Sequence, residues 1–191
     1  PVRNQLISNG IDKKTQLMAV VKSNAYGHGL VEFSKLADNF GADWFGVDSI
    51  VEAERLRKEG IKKPVLVLGP TLPSKFFDAG GKDIYLTVSN FGTLKSLLKA
   101  RPCPKFHIKI DTGMHRQGFC LEDIPGVINK LKTKNYKLKT KLTGLYTHFA
   151  SAKDNNYPTC TLRQVEIFNK AVNLFEKAGF KNLTKHAAAV V

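Results

Sequence analysis

Short apolar runs, each followed by a longer segment of helical periodicity, recur along the whole chain, and this alternation restricts the fold more than any other feature. The runs predict strands over Leu17–Lys22, Trp44–Asp48, Pro64–Leu68, Ile84–Val88, Phe106–Asp111, Leu142–Phe149 and Leu183–Val190. Most are rich in valine or isoleucine, the composition of strands covered on both faces. Helical segments are predicted between them, among them Leu30–Asn39, Ile50–Glu59 and Phe91–Lys99, with Gly41 and Gly60 just past the ends of the first two. The clearest helix is TLRQVEIFNKAVNLFEKAG, where Leu162, Val165, Phe168, Val172 and Phe175 form one stripe and Gly179 is the stop. Repeated strand–helix units imply parallel strands joined by right-handed crossovers. An open doubly wound sheet and a closed barrel both satisfy that pattern. About seven units favour an α/β (β/α)8 barrel of the TIM type, incomplete here, its eighth unit expected beyond residue 191. No glycine-rich dinucleotide fingerprint follows the first strand, and no linker divides residues 1–191 into separate domains.

Strand side chains alternate between faces. In FHIKID, Phe106, Ile108 and Ile110 share one face, and His107, Lys109 and Asp111 share the other. Taken alone, an edge strand facing water accounts for that pattern best. In the interior of a barrel the same three polar groups would need partners, because buried charges must be paired. The strand then runs into TGMHRQG, with His115 and Arg116 at its C-terminal mouth, and GLYTHFAS sets His148 at the end of the sixth strand. Strands one, five and six thus end in ionisable groups, and barrel enzymes build their sites at that rim. A mouth with several cations suits an anionic ligand.

The charge of the chain agrees with that reading. The net charge is +14, but the lysines are scattered, and the nearest cluster, KLKTKNYKLKTK, carries one aromatic. RNA recognition usually wants a platform of stacking aromatics, so attraction of a small anion is the simpler use of the charge. Cys103, Cys120 and Cys160 have neither pairing nor metal spacing, which points to a reduced cytosolic setting and no metal. No apolar run approaches the roughly 20 residues of a membrane span. The chain opens on Pro1 rather than methionine, so a trimmed N-terminus is expected.

In AVVKSNAYGHG an apolar run ends in Lys22. Met18, Val20 and Lys22 are expected to point the same way, setting the amine above a dry floor. Desolvation and neighbouring cations would lower its pKa and yield an amine that condenses with an aldehyde; a snorkelling surface lysine is the plainer alternative. Tyr26 follows in a turn that continues through Gly27 and Gly29, so its hydroxyl can donate to a phosphate where the glycines let backbone amides approach.

AVVKSNAYGHG, KIDTGMHRQGF and GLYTHFASAKD resemble, in order and separation, the three motifs of the alanine racemases, with Ser23 where alanine is usual. The resemblance implies a pyridoxal 5′-phosphate enzyme that interconverts L- and D-alanine, supplying D-alanine for peptidoglycan, in a cytoplasmic homodimer. It implies that Lys22 holds the cofactor as a Schiff base and is the catalytic base on one face of the substrate. Tyr26 would contact the phosphate, His148 would lie against the pyridine ring, and Arg116 would bond the phenolic oxygen and help place the substrate carboxylate. Lys109 matches a position that is carbamylated in several members. The cofactor brings the carbanion chemistry, and the protein orients it.

The sequence also departs from that family. Ala189 and Val190 stand where the family has Asn-Ser, the serine a phosphate ligand. The family's second base, a tyrosine of a C-terminal β-domain reached across the dimer interface, has no counterpart in these 191 residues, nor has the arginine that meets the pyridine nitrogen. This stretch alone is therefore expected not to racemise. A non-racemising pyridoxal-phosphate-binding barrel and a racemase of broader amino-acid specificity are the alternatives.

Overall fold

The computed structural model describes residues 12, 14–97, 99–132, 141–152 and 158–188. Its elements follow the predicted alternation. The first part runs β1 (Met18–Val20), a short helical turn (Lys22–Tyr26), α1 (Leu30–Asn39), β2 (Trp44–Val47), α2 (Ile50–Lys58), β3 (Val65–Val67), α3 (Phe76–Gly81) and β4 (Ile84–Val88). The rest runs α4 (Phe91–Leu97), β5 (Phe106–Lys109), α5 (Ile124–Lys132), β6 (Leu142–His148), α6 (Pro158–Lys177) and β7 (Thr184–Ala188). Strand order follows chain order, and the chain divides into two compact units after Leu86.

In the first unit β1, β2, β3 and β4 pair in parallel, with Met18 opposite Trp44, Phe45 opposite Val65 and Val65 opposite Ile84. Every residue of β2, β3 and β4 is buried, as strands covered on both faces must be. One layer of the core takes a residue from each strand: Met18, Trp44, Leu66 and Tyr85, with Leu68 against them. Trp44 meets Tyr85 edge to face at 4.8 Å between ring centroids, and its indole N–H donates to Gln16 Oε1 (3.1 Å). Each such side chain withdrawn from water is worth roughly 1.5–3 kcal/mol.

Helix α2 opens on a capping box, Ser49 with Glu52, and stops at Gly60, whose φ of 89° an L side chain adopts at a cost. Arg57, in its last turn, is a clasp. Its guanidinium donates to the carbonyls of Ile61 (2.8 Å), Lys63 (2.8 Å), Lys82 (3.0 Å) and Asp83 (3.0 Å), tying the helix to the segments that lead into β3 and β4.

In the second unit β5 pairs with β6 and β6 with β7, all parallel. The register slips between Phe106, opposite Leu142, and His107, opposite Gly144, so that Thr143 is the extra residue of a bulge. The slip lays the His107 ring over a backbone position without a side chain. A Cβ at Gly144 would lie 2.7–2.8 Å from three atoms of that ring. We expect Gly144→Ala to destabilise the protein by about 1–3 kcal/mol, the usual cost of overpacking a filled core. His107→Asn removes the clashing atoms and should restore part of the loss in the double variant. Urea midpoints with an unchanged slope measure both; an unaffected Gly144→Ala midpoint would contradict this account.

Three expectations need correction. Lys22 does not end the first strand: β1 stops at Val20, the ladder closes with Val21 N–H on Gly46 O (2.8 Å), and Lys22 opens the turn beyond. Strand β5 is buried as the barrel reading requires, all four residues included, His107 and Lys109 among them, but it ends at Lys109 and leaves Asp111 beyond the strand. The stripe of α6 keeps Phe168, Val172 and Phe175, but Leu162 is 64% and Val165 36% exposed, and Gln164 is buried in their place. Residues 189–191, with the Ala189 and Val190 departure, lie outside the described residues, as does most of the KLKTKNYKLKTK cluster.

Candidate active site

Lys22 and Tyr26 belong to the first unit, on one turn with an unusual backbone. Ser23, Asn24, Ala25 and Tyr26 all have φ between 52° and 55°, so the chain makes a left-handed helical turn with no glycine in it. For L residues that geometry costs roughly 1–2 kcal/mol per residue, and outside asparagine and aspartate it is rarely occupied. Such strain persists only where the surroundings over-determine it.

Here they do. Ala25 N–H bonds Val21 O (2.9 Å), and the amides of Gly27 and Gly29 both bond Asn24 O (3.1 and 3.0 Å). Asn24 Oδ1 accepts from Leu30 N–H (2.9 Å), which satisfies the start of α1, while the small side chain of Ala25 is buried beneath. From 29 residues further on, Glu52 Oε1 accepts the Ser23 N–H (2.7 Å). On this scaffold Lys22 is half-buried and Tyr26 is 51% exposed.

Lys109, Arg116 and His148 belong to the second unit, at or beyond the C-terminal ends of β5 and β6. The loop after β5 is held by Asp111, whose Oδ1 accepts from the amides of Gly113 (3.0 Å) and His115 (3.1 Å). Its base is closed by an isolated bridge between Ile110 and Phe119, with Asp111 N–H on Phe119 O and Phe119 N–H on Lys109 O, both 2.9 Å. Gly118 has φ 137°, and a Cβ there would meet the Asp111 nitrogen at 2.5 Å, so only glycine closes this loop. The loop presents Arg116 exposed to solvent. Gln164 of α6 joins it to the loop after β6: its Nε2 donates to Thr112 Oγ1 (3.1 Å) and to His148 O (3.4 Å), and its Oε1 accepts from Ala150 N–H (3.0 Å). His148 closes β6, half-buried, where the sequence predicts it.

Beneath these loops runs a buried polar cluster. The Lys109 ammonium, on a residue only 4% exposed, lies 5.6 Å from the centroid of the Tyr146 ring. Tyr146 OH is 3.0 Å from Thr87 Oγ1, and its ring stacks on His186 at 4.8 Å. His186 Nε2 is in turn 2.9 Å from His107 Nδ1. Burial raises the Tyr146 phenol far above the ordinary tyrosine range, although the Thr87 hydrogen bond and the charge of Arg116 act against it. Burial lowers His107 to about 3, with the charge of His186 acting the same way, and burial lowers His186 to about 4. Both imidazoles are therefore neutral at neutral pH. Among the described residues no group of three or more His, Cys, Asp or Glu is placed to hold a metal ion, and no helix is long and apolar enough to cross a membrane.

Reading the sequence for chemistry alone misses Glu52, Gln164, Thr87 and His186. Glu52 does carry a local signal, since Ser49-Ile-Val-Glu52 has the spacing of a capping box. Gln164 carries none.

Residues 3–189 match the family described as alanine racemase, N-terminal domain. The chain belongs to the alanine racemase family. It is 37% identical over 180 residues to the alanine racemase of Salinispora arenicola, covering 91% of this chain and 47% of that one. It is 38% identical over 179 residues to that of Methanococcus maripaludis, covering 92% and 47%. Among solved structures, the alanine racemase of Clostridium difficile 630 has a TM-score of 0.83 at 31% identity, over 97% of this chain and 48% of that one. The alanine racemase from Bacillus anthracis with bound L-Ala-P has the same TM-score at 31% identity, over 98% and 48%. The chain thus spans about half the length of the curated relatives it matches. The alanine racemase likeness fixes the fold class: seven parallel strands of an incomplete TIM-type barrel, without the family's C-terminal domain in the matched stretch.

Proposed function

We propose that the protein interconverts L- and D-alanine with pyridoxal 5′-phosphate held on Lys22, as a cytoplasmic homodimer that supplies D-alanine for peptidoglycan. The observation that carries this reading is the left-handed turn, an energetically costly segment that opens on the half-buried Lys22 and ends on the exposed Tyr26. The donor set fits the cofactor. A lysine amine meets an aldehyde, and the Tyr26 hydroxyl and the Arg116 guanidinium match its phosphate and phenolic oxygen.

When bound, this cofactor withdraws electrons from the α-carbon of an amino acid and makes its hydrogen acidic. Lys22 would anchor the cofactor and, as a free amine, would take the proton from Cα or deliver it there on one face only, exchange on the opposite face needing a second acid–base group from outside these 191 residues. Tyr26 donates to the phosphate. Arg116 donates to the phenolic oxygen and to the substrate carboxylate, and His148 is assigned to the pyridine ring. The test is borohydride reduction of the cofactor-loaded, full-length protein followed by peptide mass mapping, alongside an assay of D-alanine formation. A reduced adduct on Lys22 together with D-alanine formation is expected. An adduct on another lysine would contradict the assignment, and an adduct on Lys22 without racemisation would favour a binding protein.

Lys109 is assigned as a carbamate. Its unprotonated amine adds to carbon dioxide and loses a proton, exchanging a buried positive charge for a negative one that braces Arg116. Lys109→Ala should then lower activity about 10- to 100-fold, the usual cost of losing a supporting group, and acetate should restore part of it. Unchanged kinetics would remove the case for carbamylation.

A further inference from the structure

We infer that Glu52 is a positioning residue for Lys22, acting through the backbone on which Lys22 is mounted; this rests on the assignment of Lys22 as the cofactor-holding amine. Glu52 is part of the capping box of α2, but its carboxylate does more than cap. Oε2 accepts the amides of Asp48 (2.8 Å) and Ser49 (3.3 Å) at the end of β2. Oε1 reaches across to the other loop and accepts the amides of Ser23 (2.7 Å) and Asn24 (3.4 Å). One carboxylate thus gathers four backbone donors from the loops that follow two adjacent strands.

The Ser23 amide belongs to the peptide bond that joins it to Lys22, so this grip lies two bonds from the Lys22 Cα. Ser23 and Asn24 are also the first two residues of the left-handed run. An anion accepting backbone N–H groups makes hydrogen bonds roughly twice as strong as neutral ones, which suits it to hold a backbone that would otherwise relax. Released, the turn would sample right-handed backbone, and the amine would spend only a fraction of its time where the cofactor requires it. Apparent affinity falls by that fraction.

The test uses full-length protein in three forms: wild type, Glu52→Gln and Ser49→Ala. Glutamine keeps the size but turns one acceptor into a donor facing N–H groups. Ser49→Ala removes the other half of the capping box, the Ser49 Oγ that accepts from Glu52 N–H at 3.3 Å, and leaves the carboxylate in place. Amide hydrogen exchange at Ser23 and Asn24 is read in cofactor-free protein. The pyridoxal-phosphate concentration that gives half-maximal borohydride fixation on Lys22 is read separately.

Glu52→Gln is expected to speed exchange at those two amides about tenfold and to raise the half-maximal concentration about tenfold. Ser49→Ala should leave both near wild type while weakening α2. Unchanged exchange in Glu52→Gln, or equal effects in the two variants, overturns the inference. Should Glu52→Gln not fold, Glu52→Asp, which keeps the charge but is one methylene too short to span both loops, is held to the same two outcomes. If wild-type protein fixes no cofactor on Lys22, the functional assignment fails on its own, and the exchange data still decide whether Glu52 holds the turn.

Discussion

Lys22→Ala in the full-length protein is expected to leave alanine racemisation at background and no cofactor fixed by borohydride. One side chain carries two duties in the proposed mechanism. A positioned base contributes about 10²–10⁴-fold by itself, and the loss of the covalent anchor adds to that, so activity should fall by at least about 10³-fold. Lys22→Arg separates charge from nucleophilicity. A guanidinium is never deprotonated in proteins, so it can neither condense with the aldehyde nor accept the Cα proton. Arginine should therefore be as inactive as alanine. Lys22 is half-buried on a turn beyond β1, and among the described residues no hydrogen bond or ion pair of its side chain ties it to the fold, so both variants should stay within about 0.5 kcal/mol of wild-type stability. A Lys22→Arg protein that racemises would sink the mechanism, whatever the alanine variant did.

The second large effect is on acid stability. His107 is fully buried, with its Nδ1 2.9 Å from His186 Nε2, and the two are lowered to about 3 and about 4 respectively. Unfolded histidines titrate near 6.5. Above that pH neither state binds the extra protons and the pair is neutral with respect to pH. As pH falls below about 6.5 the unfolded chain takes up protons that the folded chain refuses, so stability declines, and it continues to decline until the folded-state values are reached. At pH 5 His107 alone accounts for about 2 kcal/mol, from roughly 1.4 kcal/mol per unit of pH. His186, which solvent reaches in part, adds a smaller share. Urea midpoints between pH 7.5 and 5 would record the decline, and amide exchange in β5 and β6 would locate it. His107→Asn, which cannot ionise, should flatten the profile. A wild-type profile no steeper than that of His107→Asn would remove the pair as its cause.

Much of the architecture was legible from local pattern. The alternation of short apolar and periodic segments predicts each of the seven strands, and β4 and α1 match their predicted limits to the residue. Gly60 stops α2 as its position implies, because the constraint acts within one turn of chain. The residue types of the candidate site were equally plain: Lys22 and Tyr26 within five residues, and Arg116 and His148 just past apolar runs.

What the pattern could not decide depended on contacts distant in sequence. Alternation in FHIKID groups His107 with Lys109, but whether that face meets water or protein depends on β6 and β7, and the structure buries it against Tyr146 and His186. Helical spacing puts Gln164 one residue from Val165 without saying which will be covered; the Thr112 and Ala150 loops select Gln164, because their polar groups need partners and a valine offers none. Most of all, nothing within Ser23, Ala25 or Tyr26 favours φ near 55°. A strand carried on through Lys22 is the locally cheaper conformation. Glu52, at the head of α2, supplies acceptors at the place where the backbone amides of Ser23 and Asn24 need them. The sequence by itself determined the class of fold and the chemical groups available to it. Tertiary structure alone decided the backbone that aims Lys22, since strain of that kind is stable only when distant groups offset it.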